Sequence, residues 1–209
     1  MRRACRSLGA VAKRLGLTIA LAAAMAAAPP VAAAPISFNV LRGDDTIDVQ
    51  ASATVRADIT TAWRVLSDYD RYTGFIPDLL RSQVVARSGS KVTVEQSGLA
   101  VLWLLKMPVE VTFEIDENPP HGLQSRAVAG SLRSLTSTYV LTPVISGTRL
   151  DYLGHVATGF EFFGRIETYA VRENVARQFQ ALVDEIERVA AATGRAHALE
   201  SPTPVTGSQ

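Results

Sequence analysis

Alternation of apolar and polar residues predicts where the folded part of the chain begins. From Ile47 to Val55 every second residue is apolar and the residues between are polar or charged, as in a strand with one buried face. Asp58 predicts a helix N-cap, and residues 59–67 (ITTAWRVLS) that follow have helical spacing. The folded part is therefore expected to open with a strand and a short helix.

Further short strands are predicted through the middle of the chain, because apolar residues alternate between breaks made by Gly, Pro and Ser. These strands cover residues 81–89, 91–99, 109–116, 123–130, 134–143 and 148–159. The spacing then changes to a helical one from Phe162 to Ala192. The apolar stripe of this long helix contains Val171, Val175, Phe179, Leu182, Ile186 and Val189.

This order of elements predicts an α+β fold. An antiparallel sheet of about six to seven strands, with one apolar face, needs a cover, and only the C-terminal helix is long enough to lie across it. One or two short helices follow the first strand. The domain is predicted over residues 47–192, with a mobile leader at 34–46 and a disordered tail at 193–209, since neither end has a periodic apolar face.

The first residues have the three parts of a secretory signal. Five basic residues precede an Ala/Leu-rich core from Leu15 to Ala28, and small residues follow it. The core has about fourteen residues, short of the roughly twenty that span a bilayer. We expect residues 1–33 to be a signal peptide cleaved after Ala33, which makes the protein periplasmic or secreted; an uncleaved anchor is the alternative.

Removal of this signal changes the charge of the protein. The whole chain has a net charge of +1, whereas the mature chain keeps 16 of the 21 Lys and Arg residues against 20 Asp and Glu, a net charge of −4. An acidic chain with scattered arginines lacks the basic stripe that nucleic-acid binding requires. The single cysteine, Cys5, lies in the signal, so the mature chain has neither a disulfide nor a reactive thiol.

Residues 67–77 (SDYDRYTGFIP) concentrate acidic and aromatic side chains. Asp68 and Asp70 suggest a calcium loop, but Tyr72 and Leu79 occupy positions where such a loop needs oxygen ligands. We therefore expect the two aspartates to cap a helix or face solvent. The apolar residues of the segment are predicted to form a lid between the first helix and the second strand: Tyr72, Phe75, Ile76 and Pro77.

No motif for a metal, a cofactor or a catalytic nucleophile is found. The three histidines are isolated, without an HExxH pair, and GxSxG, P-loop and GxGxxG patterns are missing. Alternation directs His155 outward, away from the face of Tyr152, unless a bulge at Gly154 changes the register. The sequence thus predicts no metal, no cofactor and no catalytic residues.

Two motifs and the terminal helix carry a family resemblance. Residues 62–77 (AWRVLSDYDRYTGFIP), residues 130–143 (GSLRSLTSTYVLTP) and the long helix after GTRLDY resemble the START-like helix-grip (SRPBCC) superfamily, in its polyketide cyclase/dehydrase and coenzyme Q-binding-like branch. Ser137 and Tyr139 stand where that branch usually has Gly and Trp. The resemblance implies a curved sheet that grips a helix around a hydrophobic cavity, used for lipids, quinones or polyketides.

Small residues in the middle of the sheet leave two alternatives. Residues such as Ala51, Ala53 and Ala127 leave a cavity if the helix stays above the sheet, or allow close packing if it sinks. Residues 98–108 (GLAVLWLLKMP) form either a buried hairpin or an apolar edge that contacts a ligand or, transiently, a membrane. The predicted ligand-contacting residues are Tyr72, Phe75, Ile76, Pro77, Trp103, Val111, Phe113, Ala127, Tyr139, Tyr152, Thr168 and Arg172.

The predicted function is binding, and transfer, of a hydrophobic small molecule such as a lipid, quinone or polyketide in the cell envelope. Arg172 either holds an oxygen of the ligand or forms a surface ion pair, with Glu173 or with an Asp or Glu of the sheet. One alternative is a cyclase or dehydratase-like enzyme that uses Tyr139, Tyr152, Arg172 or His155. A second alternative is a structural or adaptor domain with a filled core. The oligomeric state does not follow from the sequence.

Overall fold

The structure, a computed structural model, describes residues 35–43, 46–102, 105–157 and 165–200. Within these ranges the chain forms eight strands, two α-helices and one short 3-10 helix. The elements are β1 Ser37–Arg42, β2 Ile47–Val55, α1 Ile59–Leu66, the 3-10 helix Tyr69–Gly74, β3 Leu79–Ser88, β4 Lys91–Leu102, β5 Leu105–Asn118, β6 Gly122–Gly130, β7 Ser134–Val144, β8 Gly147–Ala157 and α2 Arg165–Glu200.

All eight strands belong to one antiparallel sheet, in the order β1-β2-β8-β7-β6-β5-β4-β3. Consecutive strands are neighbours except at β2, where α1 and the 3-10 helix carry the chain across to β3 at the other edge. The sheet is curved and α2 lies on its apolar face, so the predicted helix-grip α+β fold is confirmed.

The alternation that predicts β2 is present in the structure. Ile47, Val49, Ala51, Ala53 and Val55 are at most 4% exposed, while the residues between them are half-buried or exposed. On the neighbouring β8 the buried face alternates in the same way. The two strands therefore supply one side of the hydrophobic core.

Asp58 is the N-cap of α1, as predicted. Its carboxylate accepts hydrogen bonds from the Thr61 amide at 2.8 Å and from the Thr61 hydroxyl at 2.9 Å. The first of these bonds is the main reason that the pKa of Asp58 lies below its usual value. The cap fixes the start of a helix that buries Ala62, Val65 and Leu66.

The segment that the sequence predicts as a mobile leader contains a strand. β1 pairs with β2 along its whole length, from Ser37 opposite Ser52 to Arg42 opposite Ile47. Ile36, Phe38 and Val40 pack against the core. These three apolar positions are too few to predict a strand from the sequence, and β1 is stabilised by its pairing with β2. This strand accounts for the eighth member of a sheet predicted to have six to seven.

Helix α2 has two halves with different surroundings. Residues 179–190, here the packed half, include Phe179, Leu182, Val183 and Ile186, all at most 3% exposed. Residues 170–178, here the cavity half, lie nearer the β4–β5 hairpin. The helix ends at Glu200, eight residues beyond the predicted end, so the first half of the predicted tail is helical.

Predictions for residues 1–33, for Trp103 and for residues 201–209 lie outside the described residues. In the described ranges, no helix combines the length and the apolar character needed to cross a membrane. Over the same ranges no three His, Cys, Asp or Glu side chains come together in a way that would hold a metal ion.

Candidate ligand-binding cavity

A cavity of about 250 Å³ lies between the cavity half of α2, the β4–β5 hairpin and the inner face of β7 and β8. Its volume is slightly below the roughly 300 Å³ at the lower end of typical ligand sites. The wall is mainly apolar and includes Leu79, Leu99, Ala100, Val101, Met107, Val109, Val111, Phe113, Leu135, Val156, Ala170, Val171 and Val175.

The cavity exists because small side chains face one another at this end of the sheet. Ala170, Val171 and Val175 of α2 stand opposite Ala100 and its neighbours on the hairpin. Near β2 the helix packs directly on the sheet, where Ala51 and Ala53 are nearly fully buried. Both alternatives for the small residues thus apply, close packing at β2 and a cavity at the hairpin.

Tyr152 lies on the floor of the cavity and is 9% exposed. Its ring is 4.8 Å from that of Tyr139, its partner on β7, and 6.3 Å from that of Phe179. A Cβ on Gly154 would clash with the Tyr152 hydroxyl, so this ring position requires glycine there. Burial raises the pKa of Tyr152 to about 12 and also holds that of Tyr139 well above its usual value.

Asp78 forms ion pairs at one end of the cavity. Its carboxylate is 2.7 Å from Arg177 of α2 and 3.5 Å from Lys106 of β5. The hydrogen bond from Arg177 is the main reason that the pKa of Asp78 lies below its usual value. Asp78 has a φ of 60°, a left-handed conformation that Asp tolerates better than most residues.

The backbone of Asp78 also approaches β4 closely. Its carbonyl accepts a hydrogen bond from the Leu99 amide at 2.9 Å. A Cβ on Gly98 would lie 2.6 Å from the same oxygen, so a larger residue at this position would push the loop away. Gly98 therefore allows the Asp78 loop to close this end of the cavity.

Asn174 connects α2 to the hairpin. Its side-chain amide donates to the Val101 carbonyl at 2.9 Å, and its carbonyl accepts from the Val101 amide at 3.3 Å. The same amide nitrogen donates to Ala170, and Arg177 donates to the Asn174 carbonyl. Because both polar atoms of its side chain form these hydrogen bonds, Asn174 stabilises the cavity wall and has no unpaired amide group for a ligand.

Three of the predicted ligand-contacting residues, Val111, Phe113 and Tyr152, line the cavity. Tyr139 lies beside Tyr152 but outside the cavity wall, and Ala127 is a half-buried neighbour of Phe113 on the sheet. The backbones of β4 and β5 pair as far as Leu102 and Leu105, which forms a hairpin. The choice between a buried hairpin and an apolar edge depends on side chains outside the described residues.

The predicted lid residues pack on the core beside α1. The Tyr72 hydroxyl donates to the Leu66 carbonyl, and its ring contacts Tyr69 and Phe75 edge to face. Tyr72, Phe75, Ile76 and Pro77 do not line the cavity, whereas the next residue, Asp78, does. Their role as a lid stays a prediction.

The two acidic residues of the same segment are placed as surface groups. Asp70 is exposed and its carboxylate accepts a hydrogen bond from the Val84 amide of β3 at 2.8 Å. Asp68 is 3.9 Å from Arg71 and makes no side-chain cap. The segment thus contacts the edge strand β3 through the Asp70 carboxylate.

Thr168, Arg172 and His155 do not line the cavity. Thr168 accepts a hydrogen bond from Arg42 at 3.0 Å. Arg172 is about half exposed and lies 3.6 Å from Glu173, which is the surface ion pair that the sequence left as an alternative. His155 is exposed and its Nδ1 is 2.7 Å from Asp48, so it points outward as alternation predicts.

Comparison with known proteins places this geometry in a family. Residues 46–191 match the family model described as polyketide cyclase/dehydrase and lipid transport. The chain belongs to this family. The match confirms the resemblance that the sequence motifs carry, and it spans the whole sheet from β2 onward together with most of α2. Among curated proteins, no sequence matches the chain.

Several solved structures share the fold at low sequence identity. The Zhui aromatase/cyclase from Streptomyces sp. R1128 is 17% identical, with a TM-score of 0.60, over 71% of this chain and 98% of that one. A STAR-related lipid transfer protein from Xanthomonas axonopodis is 12% identical, with a TM-score of 0.60, over 76% and 96%. The protein TTHA0849 from Thermus thermophilus is 18% identical, with a TM-score of 0.59, over 70% and 98%.

Proposed function

We propose that the protein binds a hydrophobic small molecule in this cavity and transfers it within the cell envelope. The observation that carries the proposal is the mainly apolar wall of the 250 Å³ cavity, held open between α2 and the hairpin. Apolar surface buried by a ligand contributes about 25 cal/mol per Å². Because the volume is small, the expected ligand is compact, or a larger one inserts only part of its length.

The placement of polar groups favours binding over catalysis. His155 and Arg172, two groups that an enzyme of this fold could use, face solvent. The remaining candidates, Tyr139 and Tyr152, have pKa values raised by burial, so neither phenol is deprotonated to act as a base near neutral pH. A binding protein needs only what the cavity provides, an apolar wall and an orienting polar group.

Filling the cavity tests the proposal. Ala170→Trp places a large side chain in the wall, and Ala192→Trp, at an exposed position of the same helix, is the matched control. Thermal unfolding would be followed with a panel of short-chain quinones, fatty acids and naphthalenes. A ligand at 100 times its Kd stabilises the folded state by about 2.7 kcal/mol.

We expect at least one compound to raise the Tm of the wild type and of Ala192→Trp but not of Ala170→Trp. Native mass spectrometry should show the same compound bound in the first two proteins. A panel without any shift in the wild type would contradict the binding function, and an equal shift in all three proteins would place the ligand elsewhere.

The location in the envelope rests on the residue pattern of positions 1–33 alone. Expression of the full chain with a C-terminal tag, followed by cell fractionation, should recover the tag in the periplasmic or secreted fraction. The intact mass should correspond to a chain that begins at Ala34. Full-length protein in the cytosol would contradict this part of the proposal.

A further inference from the structure

Three polar side chains of the cavity wall form no hydrogen bond within the described residues, those of Ser97, Tyr152 and Gln178, and Tyr152 is the most buried of the three. Among the described residues the Tyr152 hydroxyl forms no hydrogen bond, although the residue is only 9% exposed. Every fully buried side-chain nitrogen or oxygen in the same ranges does have a partner. The Tyr152 hydroxyl is therefore not enclosed by protein atoms, and it borders open volume in a residue that lines the cavity.

The position of the ring is determined by Gly154. The hydroxyl lies over its Cα, where any side chain would clash. The ring thus runs along β8 toward Val156, the next residue on the same face and itself part of the cavity wall. This arrangement brings a hydrogen-bond donor to a floor that is otherwise apolar.

The other polar groups of the wall are occupied or more exposed. Asn174 has its side-chain amide committed to Val101 and Ala170, and Gln96 donates to Ser82 at 3.0 Å. Asp78 is paired with Arg177 and Lys106, and it is the only charged residue that lines the cavity in the described ranges. The wall therefore offers no free cation to an anionic ligand.

Burial keeps the Tyr152 phenol protonated, since its pKa is raised to about 12. A neutral phenol in such a site donates one hydrogen bond. A buried donor without an acceptor is unfavourable, whereas a ligand oxygen that accepts from it gains a hydrogen bond in an apolar environment. A matching ligand has no charge and carries at least one acceptor oxygen.

We propose that the Tyr152 hydroxyl donates a hydrogen bond to a carbonyl-type oxygen of a neutral apolar ligand, and that it selects such molecules over hydrocarbons of the same shape. This inference rests on the proposed binding function. It adds the class of ligand and the residue that recognises it. Ketones, quinones and esters with a compact apolar body fall within the class.

The test uses two probes of nearly the same shape, 2-acetylnaphthalene and 2-isopropylnaphthalene. Their affinities for the full folded protein would be measured by titration calorimetry in the wild type and in Tyr152→Phe. One net hydrogen bond corresponds to a change in affinity of about fivefold. We expect Tyr152→Phe to lower the affinity for the ketone by about that factor and to leave the affinity for the hydrocarbon unchanged. Tyr169→Phe, an exposed tyrosine on α2, is the matched control and should change neither.

A second measurement detects the hydrogen bond directly in the wild-type protein. The infrared carbonyl stretch of 2-acetylnaphthalene bound to the wild type should lie at a lower frequency than the same stretch in hexane, because a hydrogen bond weakens the C=O bond. Gly154→Ala should remove this shift by displacing the ring. Because the Tyr152 hydroxyl has no protein partner, Tyr152→Phe should leave the Tm nearly unchanged.

The outcomes separate the two proposals. An unshifted carbonyl stretch, or equal effects of Tyr152→Phe on both probes, overturns the role of the hydroxyl and leaves the proposed cavity function standing. Failure of both probes, and of every compound in the wider panel, to bind the wild type overturns both proposals.

Discussion

The packed half and the cavity half of α2 continue the same apolar stripe but have different partners. Phe179 and Ile186 are at most 1% exposed, whereas Val171 and Val175 are only partly buried and face a cavity. The packed half lies against α1 and β2, and the cavity half faces the concave side of a hairpin. The comparison shows that an apolar helix face borders a filled core or a cavity, depending on which part of the sheet lies opposite it.

The largest expected difference between the halves is in stability. Phe179→Ala should lower the free energy of unfolding by about 3 to 5 kcal/mol, because it leaves a void in a closely packed region. Val175→Ala should cost about 1 kcal/mol or less, since its side chain already borders a cavity. Urea denaturation measures both. Equal losses would show that the cavity half is as closely packed as the other half.

Alkaline pH should lower the stability of the protein through Tyr152, which lies on the floor of the cavity and also contacts Phe179 of the packed half. The pKa of Tyr152 is about 12 in the folded protein and about 10 in an unfolded chain, so stability is unaffected below pH 10 and falls as the pH rises through 12. The loss from this residue is roughly 2 to 3 kcal/mol. Tyr152→Phe should make the alkaline decline smaller by that amount, whereas Tyr169→Phe should not. Identical pH profiles for wild type and Tyr152→Phe would contradict the burial of the phenol.

One carboxylate on each half allows a direct comparison at acid pH. Arg177 lowers the pKa of Asp78 at the cavity, and Arg188 lowers the pKa of Glu185 on the packed half. Each contributes stability above the pKa of an unfolded carboxyl, about 4, and loses it as the pH falls through its own lowered pKa. Asp78→Asn and Glu185→Gln should each cost about 0.5 to 1 kcal/mol, measured by urea denaturation.

Of these two changes, the one at Asp78 should alter ligand exchange, because Asp78, unlike Glu185, connects its loop to both the hairpin and α2 at the cavity. Stopped-flow displacement of a bound probe should be a few-fold faster in Asp78→Asn than in the wild type or Glu185→Gln. Equal displacement rates in all three proteins would show that this end of the cavity is not the exit.

The smallest expected effect concerns the predicted lid. Phe75→Ala should change the association rate of a probe by a few-fold and leave its equilibrium affinity almost unchanged, since Phe75 packs near the cavity without lining it. Stopped-flow mixing gives both constants. An unchanged association rate would contradict the assignment of Phe75 to a lid.

Elements with a long periodic pattern were predictable from the sequence. The alternation in β2 and the stripe of α2 place Val49, Phe179 and Ile186 in the core, where the structure has them. β1 escaped prediction because its alternation is short, and a strand of that length depends on pairing with β2. Periodicity therefore predicts elements that bury a whole face by themselves better than those that need a neighbour.

The cavity was only partly predictable. Val111, Phe113 and Tyr152 follow from alternation on their strands. Asp78 and Asn174 do not, because their roles depend on residues about 20 to 100 positions away in the chain that only the folded backbone brings near. On α2 the exposed Arg172 directly follows Val171, which lines the wall, and one residue corresponds to a rotation of about 100° around the helix axis. The sequence does not fix which of these neighbouring positions faces the cavity.

The bonds from Asn174 to Val101 have a consequence for how the binding site changes in evolution. Val101 pairs with Lys106 of β5 on one side, but β3 begins opposite Gly98 and does not reach Val101 on the other. On that open side Asn174 forms two hydrogen bonds with the main chain of Val101. The anchor does not read the side chain at position 101. A substitution there can enlarge, narrow or reshape the cavity while the hairpin stays attached, so evolution can change the cavity without changing the fold.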